Sequence, residues 1–287
     1  MSKHTTDTLH QRKADLALLL LTMIWGSTFI ITRTTLRDVG PFTLLALRFT
    51  IGFCSLAILF AGRMRRITRL DIGVGLLLGT MFFAGNALQT SGLRYTNAGT
   101  SGFITALSVV IVPPLAAVVL RDRPTMGAII GIVLATAGLA LLSLNDDLTM
   151  GYGDLLTLGC AFAFALHIVY ISKYAGQTEP TVMVAVQLAL SALLSFAMAS
   201  ATEVIGPLSV NVILAALYLG LLATAFCFVI QVYAQRQTSA THTALIFTME
   251  PVFAAIFAYL VAGETLSGRG LVGCALILAG MLVAELR

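Results

Sequence analysis

Charge is scarce in this sequence. Only 10% of its 287 residues are Asp, Glu, Lys or Arg, where soluble domains carry about 25%. With 58% hydrophobic residues and a mean hydropathy of +0.96, a soluble fold would expose large apolar patches, so the chain belongs in lipid. Long polar stretches are also missing, which excludes a separate soluble domain. There is no GxxxxGK[ST] loop, so any pumping draws on a gradient rather than on ATP. HExxH, GxSxG and paired acids are absent as well. An intramembrane enzyme needs such a cluster, and that alternative is disfavoured; neither a metal nor a cofactor is expected. The four cysteines, Cys54, Cys160, Cys227 and Cys274, lie in apolar runs at spacings that match no metal motif, and are expected to be reduced core residues.

What is present is a series of apolar runs, each near the roughly 20 residues that span a hydrocarbon core. Ten are expected: 16–34, 42–61, 71–90, 97–120, 125–144, 154–173, 181–202, 210–233, 239–262 and 267–286. The short breaks between them carry turn and charge signals such as Arg63, Arg65 and Arg66, or Arg121 to Pro124. Residues 1–14 are polar and are expected to form a cytoplasmic tail. No cleavage site follows the first run promptly, so it is expected to stay as a span. The net charge of +4 sits in these breaks and sets topology rather than contacting nucleic acid.

With the N-terminus inside, the inside segments hold Lys3, Arg12, Lys13, Arg63, Arg65, Arg66, Arg69, Arg121, Arg123, Lys173, Arg236 and Arg287. The outside segments hold Arg33, Arg37, Arg94 and Arg269. Because cytoplasmic loops carry the basic excess, both termini are expected in the cytoplasm and residues 145–153 outside.

The chain repeats itself. An offset of 139 pairs Asp15 with Asp154 and Ala46 with Ala185. An offset of 142 pairs Ala98 with Ala240, Ile104 with Ile246, Asp122 with Glu264, Gly131 with Gly273 and Gly138 with Gly280. The change of offset is expected in a longer loop between the seventh and eighth spans. Halves of five spans, 15–144 and 152–287, must insert in opposite senses. Inverted repeats of this kind give transporters two interconvertible faces around a midplane site.

The sequence resembles the EamA family of the drug/metabolite transporter superfamily. The resemblance rests on Trp25 to Phe29, Arg48 with Phe49, and Tyr95 to Ser101 in the first half. In the second half it rests on Thr238 to Ala240, Glu250 to Val252 and Gly263 to Ser267. It covers residues 14–286 and implies an all-α fold of ten transmembrane helices in two inverted repeats. It also implies export or exchange of small metabolites, amino acids foremost, across the inner (plasma) membrane. Proton-coupled multidrug efflux is the alternative within the same class. The expected partners are a small-molecule substrate and the bilayer, with no nucleic acid and no ATP.

Polar residues inside spans are the site candidates, because they are costly there. Glu250 lies mid-span before Pro251, which removes a helix donor and frees the Phe247 carbonyl. It either meets substrate or a proton, or steadies a kink. Pro113 and Pro114 are expected to break the fourth helix, or merely to bend it. Arg48 suits a substrate carboxylate, or else clamps a helix end or snorkels. Its repeat partner is the uncharged Gln187. His167 could relay protons or serve as a packed hydrogen-bonding group, and His242 near the start of the ninth span is read the same way. Trp25, Asn86, Gln89, Tyr170 and Gln231 are expected to line a cavity between helices 1, 3, 4, 6, 8 and 9. Asp122 and Glu264 are expected to be latches at helix ends, and Gly73 with Gly75, like Gly131 with Gly138, to serve close helix packing.

Overall fold

The computed structural model describes residues 2–96, 98–143, 151–262 and 268–285. Asn97, residues 144–150 with Asn145 in the segment expected outside (145–153), and the 263–267 motif with Glu264 lie outside the described residues. Among those described there is helix and no strand, as lipid demands of a spanning backbone that must satisfy its own hydrogen bonds. We number the spans α1 (Ser2–Thr35), α2 (Pro41–Leu59), α3 (Arg69–Gly92), α4 (Ala98–Ala106 and Ser108–Val119) and α5 (Met126–Ser143). The second half holds α6 (Tyr152–Tyr174), α7 (Pro180–Thr202), α8 (Val210–Ala234), α9 (Ala240–Phe247 and Met249–Ala262) and α10 (Gly268–Glu285).

Among the described residues eight helices are long and apolar enough to cross a membrane, and the apolar stretches described in α5 and α10 are shorter, Met126–Leu141 and Gly268–Ala284. The expected tail is helical: α1 begins at Ser2 because neither Gly nor Pro interrupts the chain before Gly26. Exposed side chains such as Leu16, Val118, Leu193 and Leu260 face outward along the spans, where lipid replaces a hydrophobic core as their partner. Cys54 is exposed too, not a core residue, whereas Cys160 and Cys227 are buried.

Glycines fix how the halves meet. A Cβ on Gly131 would lie 2.6 Å from the Gly280 carbonyl oxygen, and one on Gly138 would lie 2.5 Å from that of Gly273. Only glycine lets α5 and α10 approach so closely. The pairing is antiparallel, and exchanging the two halves maps one contact onto the other. The same exchange relates Gly79 against the Gln187 carbonyl to Gly220 against that of Arg48. Gly75 likewise packs on α7, but Gly73 meets nothing within 4 Å and plays no packing role.

Helix ends are tied across the halves in the same antiparallel sense. Gly40 cannot cap α2, and Glu203 at the end of α7 accepts from Phe42 N (2.7 Å), Thr43 N (2.8 Å) and Thr43 Oγ1 (2.6 Å). At the other end Glu179 caps α7 itself (2.8 Å) and pairs with Arg63 just beyond α2 (2.9 Å). Thr68 and Asp71 form a capping box on α3, and Asp71 also accepts from Glu179 N (3.0 Å). Asp122 is exposed after α4.

The offset between the halves changes in two places, not one. Pro41 against Pro180 gives 139, Arg69 against Val210 gives 141, and Gly92 against Ala234 gives 142. The loop before α8 absorbs two residues. The third lies inside α8, where Tyr218–Phe226 forms a π-helical segment. A single inserted residue is what produces such a widened turn, and it commonly marks a functional site.

Candidate functional site

The spans converge on a cavity of about 70 Å³ lined by seven of them. α1 contributes Trp25 and Thr28, α2 Arg48, and α3 Asn86 and Gln89. α4 contributes Thr105, Ala106 and Ser108. From the second half come Phe164, His167 and Ile168 of α6, Phe228 and Gln231 of α8, and Phe247 and Glu250 of α9.

The π-helical segment of α8 anchors two of these residues. Trp25 Nε1 donates to the Ala223 carbonyl at 2.8 Å, and Arg48 Nε donates to Thr224 Oγ1 at 2.6 Å. Trp25 is further held between Phe228 and Phe247, with ring centroids 5.2 and 5.1 Å away. An aromatic wall results on one side of the cavity, continued by Phe82 against Phe228 at 4.5 Å. Arg48 is 8% exposed, so it neither snorkels to the surface nor clamps a helix end.

Amides and hydroxyls line the rest. Asn86 Nδ2 donates to the Phe82 carbonyl (2.9 Å) and Gln89 Nε2 to Thr105 Oγ1 (3.0 Å). His167 Nε2 and Gln187 Oε1 are 2.9 Å apart. Gln231 donates to Gln235 (2.8 Å), but its own buried Oε1 has no partner among the described residues, and neither has the Nε2 of Gln187, which does not itself line the cavity. Buried amides left half satisfied are costly and suit a ligand or water that completes them.

Glu250 opens onto the cavity with no hydrogen-bond or ion-pair partner among the described residues. Its carboxylate feels the Arg48 charge, yet the two form no ion pair. The Arg48 guanidinium and the Glu250 carboxyl group therefore share one small cavity, and neither has an ion-pair partner among the described residues.

The structure thus brings Trp25, Arg48, Asn86, Gln89, His167, Gln231 and Glu250 to one cavity. It does not bring Tyr170 there. That ring lies one turn further along α6, half-buried beside Tyr174 (6.3 Å) with Lys173 Nζ 5.5 Å from its centre. At about 100° per residue Phe164, His167 and Ile168 set the cavity face of α6, and Tyr170 lies about 110° round the helix from the centre of that face. Arg48 also adds α2 to the six helices expected around the path.

The expected break at Pro113 and Pro114 is displaced. The helix runs on through both prolines, and α4 turns at Leu107 instead. The prolines remove the bonds to the Val109 and Val110 carbonyls. Both belong to the first turn after Leu107, so the loosening appears upstream of the rings. α9 turns at Thr248, and Pro251 falls in the first turn of its second segment.

Thr28, Thr105, Ser108, Phe228, Phe247 and Thr224 were not singled out by sequence. The repeat carries a signal for some of them, because offset 142 relates Ser108 to Glu250 and Thr105 to Phe247.

At one end of α1 and α9, Asp15 Oδ1 and His242 Nε2 lie 3.2 Å apart in a separate pocket with Arg12 and Met281. His242 is thus outside the central cavity. At the start of α6, Asp154, the repeat partner of Asp15, accepts from Thr96 Oγ1 (2.7 Å).

The EamA-like transporter family matches the chain twice, at residues 12–144 and 151–285. An uncharacterized transporter of Archaeoglobus fulgidus is 32% identical over 274 residues, 96% of this chain and 86% of that protein. A probable amino-acid metabolite efflux pump of Salmonella typhimurium is 28% identical, covering 95% of this chain and 94% of the other. A solved crystal structure superposes with a TM-score of 0.80 at 21% identity over 96% of this chain and 97% of that one, which speaks for the fold alone. With two repeats, an all-α fold and a polar cavity between the halves, the chain is a multi-pass membrane transporter and belongs to the EamA-like transporter family.

Proposed function

We propose that the protein exports or exchanges small zwitterionic metabolites, amino acids and related compounds, by alternating access across the inner membrane. The observation that carries this is the unpaired Arg48 and Glu250 on one cavity. The guanidinium fork matches a carboxylate. The Glu250 carboxylate, beside the rings of Trp25, Phe228 and Phe247, matches an ammonium. A dipolar substrate satisfies both charges at once, whereas a simple cation leaves Arg48 unpaired and a simple anion leaves Glu250 unpaired, each at a desolvation cost. The Salmonella typhimurium relative, named a probable amino-acid metabolite efflux pump, supports the same substrate class.

About 70 Å³ holds only a few water molecules and is well below the roughly 300–1,000 Å³ of a typical ligand site. Substrate binding therefore accompanies a widening of the cavity. The Asp15–His242 contact between α1 and α9 and the Thr96–Asp154 bond between α6 and the start of α4 are suited to close its two ends alternately. Both termini lie in the cytoplasm by the distribution of basic residues. Cysteine placed at Asn145 then labels from the outer face, and labelling there only from inside overturns the orientation.

The test is uptake into liposomes holding purified protein, comparing labelled amino acids with their decarboxylated amines and deaminated acids. Exchange of the zwitterions alone is expected. Transport of the amines or of lipophilic cations in preference supports multidrug efflux through Glu250 and overturns the proposal.

A further inference from the structure

Away from the central cavity, α2, α3 and α7 enclose a groove of about 520 Å³ on the outer surface, lined by apolar residues throughout. Ala57, Ala185 and Ala189 keep it open, and the exposed side chains of Leu76 and Leu193 flank it. One end is formed by Met64 and Ile67, in the short helix after α2 and the turn that leads to α3.

Between Met64 and Ile67 stand Arg65 and Arg66, and Arg69 follows in the first turn of α3. All three are exposed, and their guanidinium groups have no hydrogen-bond or ion-pair partner among the described residues. Arg63, by contrast, is committed to Glu179, Thr181 and Tyr233 at 2.9 to 3.0 Å. A cation in the first turn of a helix opposes the helix dipole, so α3 gains nothing from Arg69 at that place. An apolar groove whose lining residues Met64 and Ile67 bracket two exposed arginines in the chain has the two-part chemistry of an anionic lipid. The acyl chain is the apolar part, and the phosphate is the part that Arg recognises.

We propose that this groove binds one anionic phospholipid, with an acyl chain along α2 and α7 and the headgroup phosphate on Arg65 and Arg66. The site is independent of the transported substrate.

The test uses delipidated, purified full-length protein titrated with phosphatidylglycerol or phosphatidylcholine, read by native mass spectrometry and melting temperature. The wild type is expected to retain one phosphatidylglycerol and to melt higher with it than with phosphatidylcholine. The double variant Arg65→Ala with Arg66→Ala is expected to bind it about fivefold more weakly per arginine removed, which corresponds to about 1 kcal/mol each. Ala189→Trp, which fills the groove and leaves the arginines, is expected to lose retention as well. The arginine variant changes only exposed side chains, so it stands as a test even if the tryptophan variant fails to fold. Equal retention of the two lipids by the wild type overturns the proposal, as does unchanged phosphatidylglycerol binding in the arginine variant. A wild-type dimer that Ala189→Trp splits overturns it too, because the groove would then seat a second copy of the chain.

Discussion

α4 turns at Leu107 with φ −61° and ψ −11°, and α9 turns at Thr248 with φ −64° and ψ −13°. The two turns lie within one residue of equivalence under the repeat, and each puts the following segment against the cavity. What each helix presents there differs. α4 offers Thr105 and Ser108, hydroxyls that can donate or accept, while α9 offers Phe247 and Glu250 at the matching positions. The backbone device is shared, and within this pair of helices only α9 carries a charge. The same division holds in α2 and α7, where Arg48 is matched by Gln187. Symmetric backbones allow two equivalent outward and inward states. Under the proposed alternating access, asymmetric side chains let a single substrate orientation be recognised in both.

The largest expected effect tests the charged half of that comparison. Glu250→Gln keeps the shape and should insert and melt as the wild type does. Transport in liposomes should fall about thirtyfold or more, the equivalent of about 2 kcal/mol for an unpaired buried partner. Ser108→Ala, at the equivalent place in α4, should change rates only a fewfold. Wild-type rates and pH profile in the Gln variant would end the functional role of Glu250. If Glu250→Ala then lowers the melting temperature instead, the acid serves only the loosened backbone.

Arg48→Gln gives α2 the residue that α7 carries. Amino-acid transport is expected to fall somewhat more than tenfold, with the corresponding amines now accepted, because losing a charge-assisted hydrogen bond costs about 1.5 kcal/mol at the low end. Retained discrimination against the amines would place carboxylate recognition elsewhere.

Smaller effects are expected from the prolines. Val109 occupies the position equivalent to Pro251 and is the second residue of its helical segment, where the N–H lacks an intrahelical partner in any case. Val109→Pro should therefore cost about 1 kcal/mol or less, against about 3 for a helix interior. A collapse in melting temperature would show that the two breaks differ in their hydrogen bonding.

The smallest effect concerns the end of α4. Arg121 has φ 58°, a left-handed conformation that costs an L side chain roughly 1–2 kcal/mol, and offset 142 places Gly263 at the equivalent position. Arg121→Gly should raise stability by about 1 kcal/mol, read as a small rise in melting temperature. An unchanged or lower value would mean that the arginine side chain offsets the backbone cost.

Composition, apolar run length and repeat offset by themselves determined that this chain is a ten-helix membrane protein in two halves. Each depends only on local chemistry: roughly 20 apolar residues must cross the bilayer as a helix whatever surrounds them. The intramembrane charges Arg48 and Glu250 were legible for the same reason, since a lone charge in lipid stands out against its neighbours. The tertiary structure alone decided which faces look inward. It turned Tyr170 away although His167 faces the cavity, brought α2 into the lining, and moved the break in α4 from Pro113 to Leu107. It also placed one inserted residue within α8 as a π-helical segment, whose carbonyl and hydroxyl hold Trp25 and Arg48. Helix rotation and register are set by packing against distant helices, through close glycine contacts such as Gly131 on Gly280, and no local pattern in an all-apolar run encodes them.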